Sequence, residues 1–96
     1  MRVTMSPLAE RDLEAIGDYI AEDNPWRALS FVAELRAQCA KIAKAPQAYR
    51  ARPDLAEGLR SCAHGSYVIF FIATKARLTI VRVLHGAIDI PAHFSQ

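Results

Sequence analysis

Tyr67-Val68-Ile69-Phe70-Phe71-Ile72-Ala73 decides how the rest of this chain is read. Seven residues rich in β-branched and aromatic side chains, bounded by Gly65-Ser66 and Thr74, read as a strand. Side chains alternate across a strand, so Tyr67, Ile69 and Phe71 line one face and Val68, Phe70 and Ile72 the other. A one-sided antiparallel sheet alternates apolar with polar residues, whereas both faces are apolar here. Both faces therefore need cover, and one of them is expected to draw it partly from another molecule.

Working outward, Leu59–Ala63 and Leu78–His85 flank this strand across short turns, which predicts a three-stranded antiparallel meander. Arg2–Met5 reads as a short opening strand. Between it and the meander the apolar period changes from two to about 3.6 residues. Ser6-Pro7 is a helix start, with a hydroxyl cap and a proline in the first turn. Ala9, Leu13, Ile16 and Ile20 then fall on one face, and Glu10, Asp12, Glu14 and Asp18 lie mostly off it. Asp23-Asn24-Pro25 is a second start signal. It opens a longer helix striped by Ala28, Val32, Leu35, Cys39 and Ile42, with Phe31 beside the stripe. Lys41 and Lys44 suit that helix's C-terminal dipole, and Pro46 ends it. The short link predicts an antiparallel helical hairpin. Trp26 lies off the stripe; packing on the hairpin connection is the favoured reading, a binding anchor the other. Gln47–Gly58 reads as a polar connection, and Ile88–Phe94 as a short strand or one helical turn. Together these elements make one α/β domain over residues 1–96, of the two-layer α+β kind. A helical hairpin is packed on a small, mainly antiparallel sheet, with too little chain to cover the second face.

The chain has 96 residues, 52% of them hydrophobic and 23% charged, with a formal net charge of +2. That composition excludes disorder. No segment reaches the roughly 18–20 apolar residues of a membrane helix, and no secretory leader is evident, so a cytoplasmic location is expected. Cys39 and Cys62, without CxxC spacing, fit buried thiols in a reducing compartment. The charge is uneven. Residues 36–60 carry Arg36, Lys41, Lys44, Arg50, Arg52 and Arg60 against Asp54 and Glu57, either a solvated surface or a contact for an acidic partner.

No glycine-rich phosphate loop is present, and His64, His85 and His93 lack metal-ligand spacing, so neither cofactor nor metal is expected. The chemical candidates are on the strands. Arg82, flanked by Val81 and Val83, projects with Ile80 and Leu84 if the strand is regular. A cation there needs a partner. It is either in an ion pair with Glu57, Asp54 or Asp89, or a guanidinium that binds phosphate or carboxylate. His85, two residues past Val83 on the same face, either bonds nearby backbone or acts as acid or base.

Arg82-Val83-Leu84-His85-Gly86 followed by Asp89 resembles the closing signature of ParE-type toxins in the RelE/ParE superfamily. Ser6-Pro7-Leu8-Ala9, Asp12 through Ile16, Tyr19-Ile20, Asn24-Pro25, Ala28, Pro46, Glu57 through Arg60 and Tyr67 through Phe71 resemble other family positions in order. Family members commonly carry arginine directly before the aspartate; Ile88 stands there, leaving Asp89 without an adjacent cation. The resemblance implies a βααβββ fold and a toxin–antitoxin, plasmid-stabilisation role. It implies a non-enzymatic toxin that poisons DNA gyrase, neutralised by a ParD-like antitoxin wrapped around hairpin and sheet. Arg60, Arg82, His85 and Asp89 are then contact or structural groups, with no catalytic residue. Trp26, Leu29, Val68, Phe70 and Ile72 are the expected antitoxin-facing side chains. Direct nucleic-acid binding by the toxin alone is not expected, nor is membrane association. A RelE-like ribosome-dependent mRNA endonuclease is the alternative. It needs acid, base and phosphate-binding groups, and the tail from Ile88 to Gln96 has no Tyr, Lys or Arg to supply them. A non-toxic antitoxin-binding module is the third reading.

Overall fold

The computed structural model describes residues 1–94. In chain order the elements are β1 (Arg2–Met5), α1 (Pro7–Ala21), α2 (Pro25–Lys44), a 3-10 turn (Pro46–Ala48), β2 (Arg50–Ala51), β3 (Leu59–His64), β4 (Tyr67–Ala73), β5 (Arg77–His85) and a closing 3-10 turn (Pro91–His93). The strands form one mixed sheet in the order β1-β5-β4-β3-β2, with β1 parallel to β5 and the other pairings antiparallel. This is the expected two-layer α+β arrangement, helices on one side of a sheet.

Both helix starts are capped as their sequences require. Ser6 Oγ accepts from the Ala9 amide at 3.0 Å and donates to the Val81 carbonyl at 2.7 Å, so one hydroxyl caps α1 and ties it to β5. Asn24 Oδ1 accepts from the Arg27 amide at 3.0 Å, and Pro25 opens α2. The apolar stripes of both helices meet the inner face of the sheet. Leu13, Ile16, Phe31, Leu35, Cys39 and Ile42 pack with Ile69, Phe71, Leu78, Ile80 and Val83. Cys39 and Cys62 are both buried and both free. Burial lifts the Cys39 thiol to about 11 and raises that of Cys62 as well.

Three features depart from the sequence reading. The first is the outer face of the sheet, which the chain largely covers itself. Leu59, Phe70 and Leu84 form a second buried cluster, overlaid by Leu55 and Ala56 from the β2–β3 connection and by Ile90 and Phe94 from the C-terminal segment. Phe70 is 0% exposed, so the expectation that it faces a partner fails; Val68 and Ile72, half-buried beside it, keep some accessible surface. Irregular segments supply this cover, and no periodicity in the sequence announces them.

The second departure is a bulge. Phe70 lies opposite Arg82 and Phe71 opposite Ile80, so Val81 has no partner across the ladder. The extra residue resets the alternation. Ile80 and Val83 point to the inner core while Val81 and Leu84 join the outer cluster, so Leu84 does not share a face with Ile80, nor Val81 with Val83. The third is β2, two residues within the stretch read as a connection. Arg50 pairs with Ser61 and Ala51 with Arg60, anchored by the Arg52 amide donating to the Leu59 carbonyl at 2.7 Å.

Candidate functional site

Beside the bulge on β5, the partly buried Arg82 is paired with a carboxylate. Its Nε and Nη2 donate to the two oxygens of Asp12 on α1 at 2.8 and 2.9 Å, and the Val83 amide donates to the same carboxylate at 2.9 Å. The two side chains are only 16% and 13% exposed. Hydrogen bonding to Asp12 raises the Arg82 pKa further above its ordinary value. An ion pair was one of the two expected states, but the partner is none of Glu57, Asp54 or Asp89. Asp12 lies seventy residues away in sequence, and only the packing of α1 along β5 brings it there.

The other singled-out residues do not join Arg82 in one cluster. Arg60 uses Nη1 to donate to the Tyr49 carbonyl at 2.7 Å, bracing the turn before β2. His85, exposed at the end of β5, accepts at Nδ1 from the Ala87 amide at 3.0 Å and meets the Tyr67 ring edge-on at 5.1 Å. Asp89 is exposed and, among the described residues, makes no hydrogen bond or ion pair; Ile88 beside it is exposed too. Of the basic stretch, Arg36 bonds Glu10 across the hairpin, Arg52 bonds Asp54 and Arg60 serves backbone, while Lys41, Lys44 and Arg50 are exposed. Among the described residues no group of three or more His, Cys, Asp or Glu side chains could hold a metal ion.

The outer side of the helical hairpin presents an open apolar surface. Between α1 and α2 runs a groove of about 720 Å³, floored by Leu13, Ala28, Leu29 and Val32 and rimmed by Glu10, Glu14 and Asp18. A Cβ on Gly17 would meet Val32 Cγ2 at 3.4 Å, an ordinary contact, so the space between the helices there would admit alanine as well. Leu29 is 68% exposed. Trp26, at the start of α2, is 82% exposed, so it does not pack on the hairpin connection. An indole that wet gains little from the fold.

A capped helical hairpin with an exposed apolar groove, laid on a sheet whose first and last strands run parallel, defines a small α+β domain. A family model described as the ParE toxin of the type II toxin–antitoxin system parDE matches residues 3–90, and the chain belongs to this family. It is 34% identical over 92 residues to toxin ParE1 of Caulobacter vibrioides, covering 93% of each chain. To toxin ParE1 of Mycobacterium tuberculosis it is 30% identical over 93 residues, again covering 93% of each. A solved structure titled as a chromosomal ParDE system from P. aeruginosa superposes with a TM-score of 0.74 at 23% identity, over 88% of this chain and 95% of that one. That likeness supports the fold. No described helix is long and apolar enough to cross a membrane.

Proposed function

We propose that this ParE-family protein acts in the cytoplasm as a non-enzymatic poison of DNA gyrase and is held inactive by a ParD-like antitoxin. The family match over residues 3–90 carries the reading. The state of the charged side chains supports its non-enzymatic part. Arg82 is committed to Asp12 in a mostly buried pair, so its guanidinium is not free to bind a scissile phosphate. Trp26, Leu29 and the hairpin groove are the surface to which an amphipathic antitoxin segment would bind, with Val68 and Ile72 as a smaller contact on the sheet.

Purified protein added to gyrase and relaxed plasmid is expected to stop supercoiling and accumulate cleaved DNA, and an equimolar ParD-like partner to reverse both. Ribosome-dependent mRNA cleavage with supercoiling untouched would overturn the proposal in favour of a nuclease. Harmless expression without the antitoxin would overturn toxicity itself.

A further inference from the structure

Where the tip of the helical hairpin meets the β3–β4 turn, the surface folds into a second concavity of about 600 Å³. It shares no lining residue with the hairpin groove. Tyr19 near the end of α1, Arg27 and Phe31 early in α2, Ser66 in the turn, Tyr67 opening β4 and His85 closing β5 supply its walls. Gly65, at φ +58°, makes the tight turn that brings Ser66 to this rim. The lining includes two cationic or basic groups and no carboxylate.

We propose that this cup binds a nucleotide, its base in the aromatic corner and its phosphate at Arg27. Tyr67 and His85 stand 5.1 Å apart at 78°, with Phe31 behind them 5.6 Å from Tyr67. In such a corner a flat heteroaromatic ring stacks on one wall and takes in-plane hydrogen bonds from the other. The hydrogen-bonding groups are there to give. The Ala87 amide occupies His85 Nδ1, which leaves Nε2 as the donor of the neutral ring. The hydroxyls of Tyr19, Ser66 and Tyr67 make no hydrogen bond among the described residues. Burial, with Tyr19 nearby, raises the Tyr67 pKa and keeps that hydroxyl a donor. An aliphatic or phenyl side chain from a protein partner would leave all four groups without partners, an outcome that costs affinity; the polar edge of a base uses them. Arg27 lies 5.1 Å above the Phe31 ring and is paired with Glu34, both nearly half exposed. An exposed pair of this kind is cheaply exchanged for a phosphate.

This proposal narrows the expectation that the toxin alone makes no contact with nucleic acid. It goes beyond the gyrase reading and does not depend on it, so its test contains no gyrase. The full-length protein is titrated with each nucleoside monophosphate, with ribose 5-phosphate and with a short oligothymidine, following the ring resonances of Tyr67 and His85. Saturable shifts with at least one nucleotide, and none with ribose 5-phosphate, are expected. Arg27→Ala and His85→Ala, both at exposed positions, should each weaken binding on the order of tenfold, with unchanged thermal melting as the check on folding. Tyr67→Phe, which keeps the ring and removes only the hydroxyl, should weaken it less. Tighter binding of oligothymidine than of thymidine monophosphate identifies a single strand as the source, and equal binding a free nucleotide. Unmoved ring resonances at millimolar nucleotide, or affinity unchanged in both alanine variants, would overturn the proposal.

Discussion

Phe70 and Phe71 are neighbours on one strand, both 0% exposed, yet they are buried by different kinds of structure. Phe71 faces the helices and sits in a layer of regular, capped elements. Phe70 faces the other way, under Leu55, Ala56, Ile90 and Phe94, with the Arg52 guanidinium 5.8 Å above its ring. The outer cover is held by a few turn hydrogen bonds, such as Leu55 N to Arg52 O at 3.1 Å and Phe94 N to Pro91 O at 3.1 Å. Equal burial therefore does not mean equal resistance to opening. A helical layer opens only with the fold, whereas irregular segments can lift alone.

The largest effect that sharpens this contrast is expected from Phe71→Ala. Removing a phenyl ring between two rigid layers costs about 3–5 kcal/mol, because the helices cannot collapse into the cavity. That is a large share of the roughly 5–15 kcal/mol that a domain has in total. Phe70→Ala should cost less by about 1 kcal/mol or more, since loops above it can settle. Urea denaturation of both variants measures the difference, and equal losses would break the comparison.

Next in size is Asp12→Ala. It leaves the Arg82 guanidinium mostly buried without its carboxylate and takes the acceptor from the Val83 amide. A loss of about 3 kcal/mol is expected, toward the lower end for a broken buried pair because both groups retain some exposure. Arg82→Ala should likewise lower stability and, through it, toxicity. Unchanged stability together with full toxicity would rule out both roles for Arg82. A double-mutant cycle then separates the pair's own energy from that of the amide bond.

Much of the inner layer was legible because its signals are local. Ser6-Pro7 and Asn24-Pro25 are capping chemistry within four residues, and the helical stripes and the two-faced Tyr67–Ala73 strand are periodicities. What escaped is long-range or aperiodic. Nothing in the spacing of Asp12 and Arg82 links them across seventy residues, and the bulge at Val81 shows no glycine or proline to mark it. The demand for cover on the outer face was read correctly. The part supplied by the β2–β3 connection was not, because Leu55 sits in a polar, proline-containing stretch that carries no pattern. Of the candidate site, the residue types were visible and their partners were not. Arg82, Arg60 and His85 stood out as charged or titratable groups on strands, but Asp12, Tyr49 and Ala87, which engage them, did not. The cup at the hairpin tip escaped for the same reason, since four separate segments build it.

The dryness of the inner layer also has a pH signature, carried by Cys39. Its thiol ionises near 9 in the unfolded chain and only near 11 in the folded one. Folding thus favours the protonated form, and the associated stability is complete below pH 9 and lost as pH rises toward 11. The drop across that window should be on the order of 2 kcal/mol. Comparing Cys39→Ala with the parent between pH 8 and pH 11 isolates this contribution, and parallel curves would show that the thiol is wetter than its packing implies.

The smallest effect tests the outer layer at its thinnest point. Phe94 is half-buried and meets Phe70 at 5.0 Å in a tilted, edge-type contact. Aromatic pairs of this geometry contribute about 0.5–1.5 kcal/mol beyond burial, so Phe94→Ala should cost about 1–2 kcal/mol in total. The informative readout is local. If the C-terminal turn lifts independently of the fold, amide exchange at Ile90 and His93 should already be faster than in β4 in the parent protein, and Phe94→Ala should speed it further while leaving β4 protected. If exchange in the turn instead matched that of β4 in both proteins, the two layers would open together. Phe70 and Phe71 would then be equivalent in resistance as well as in burial.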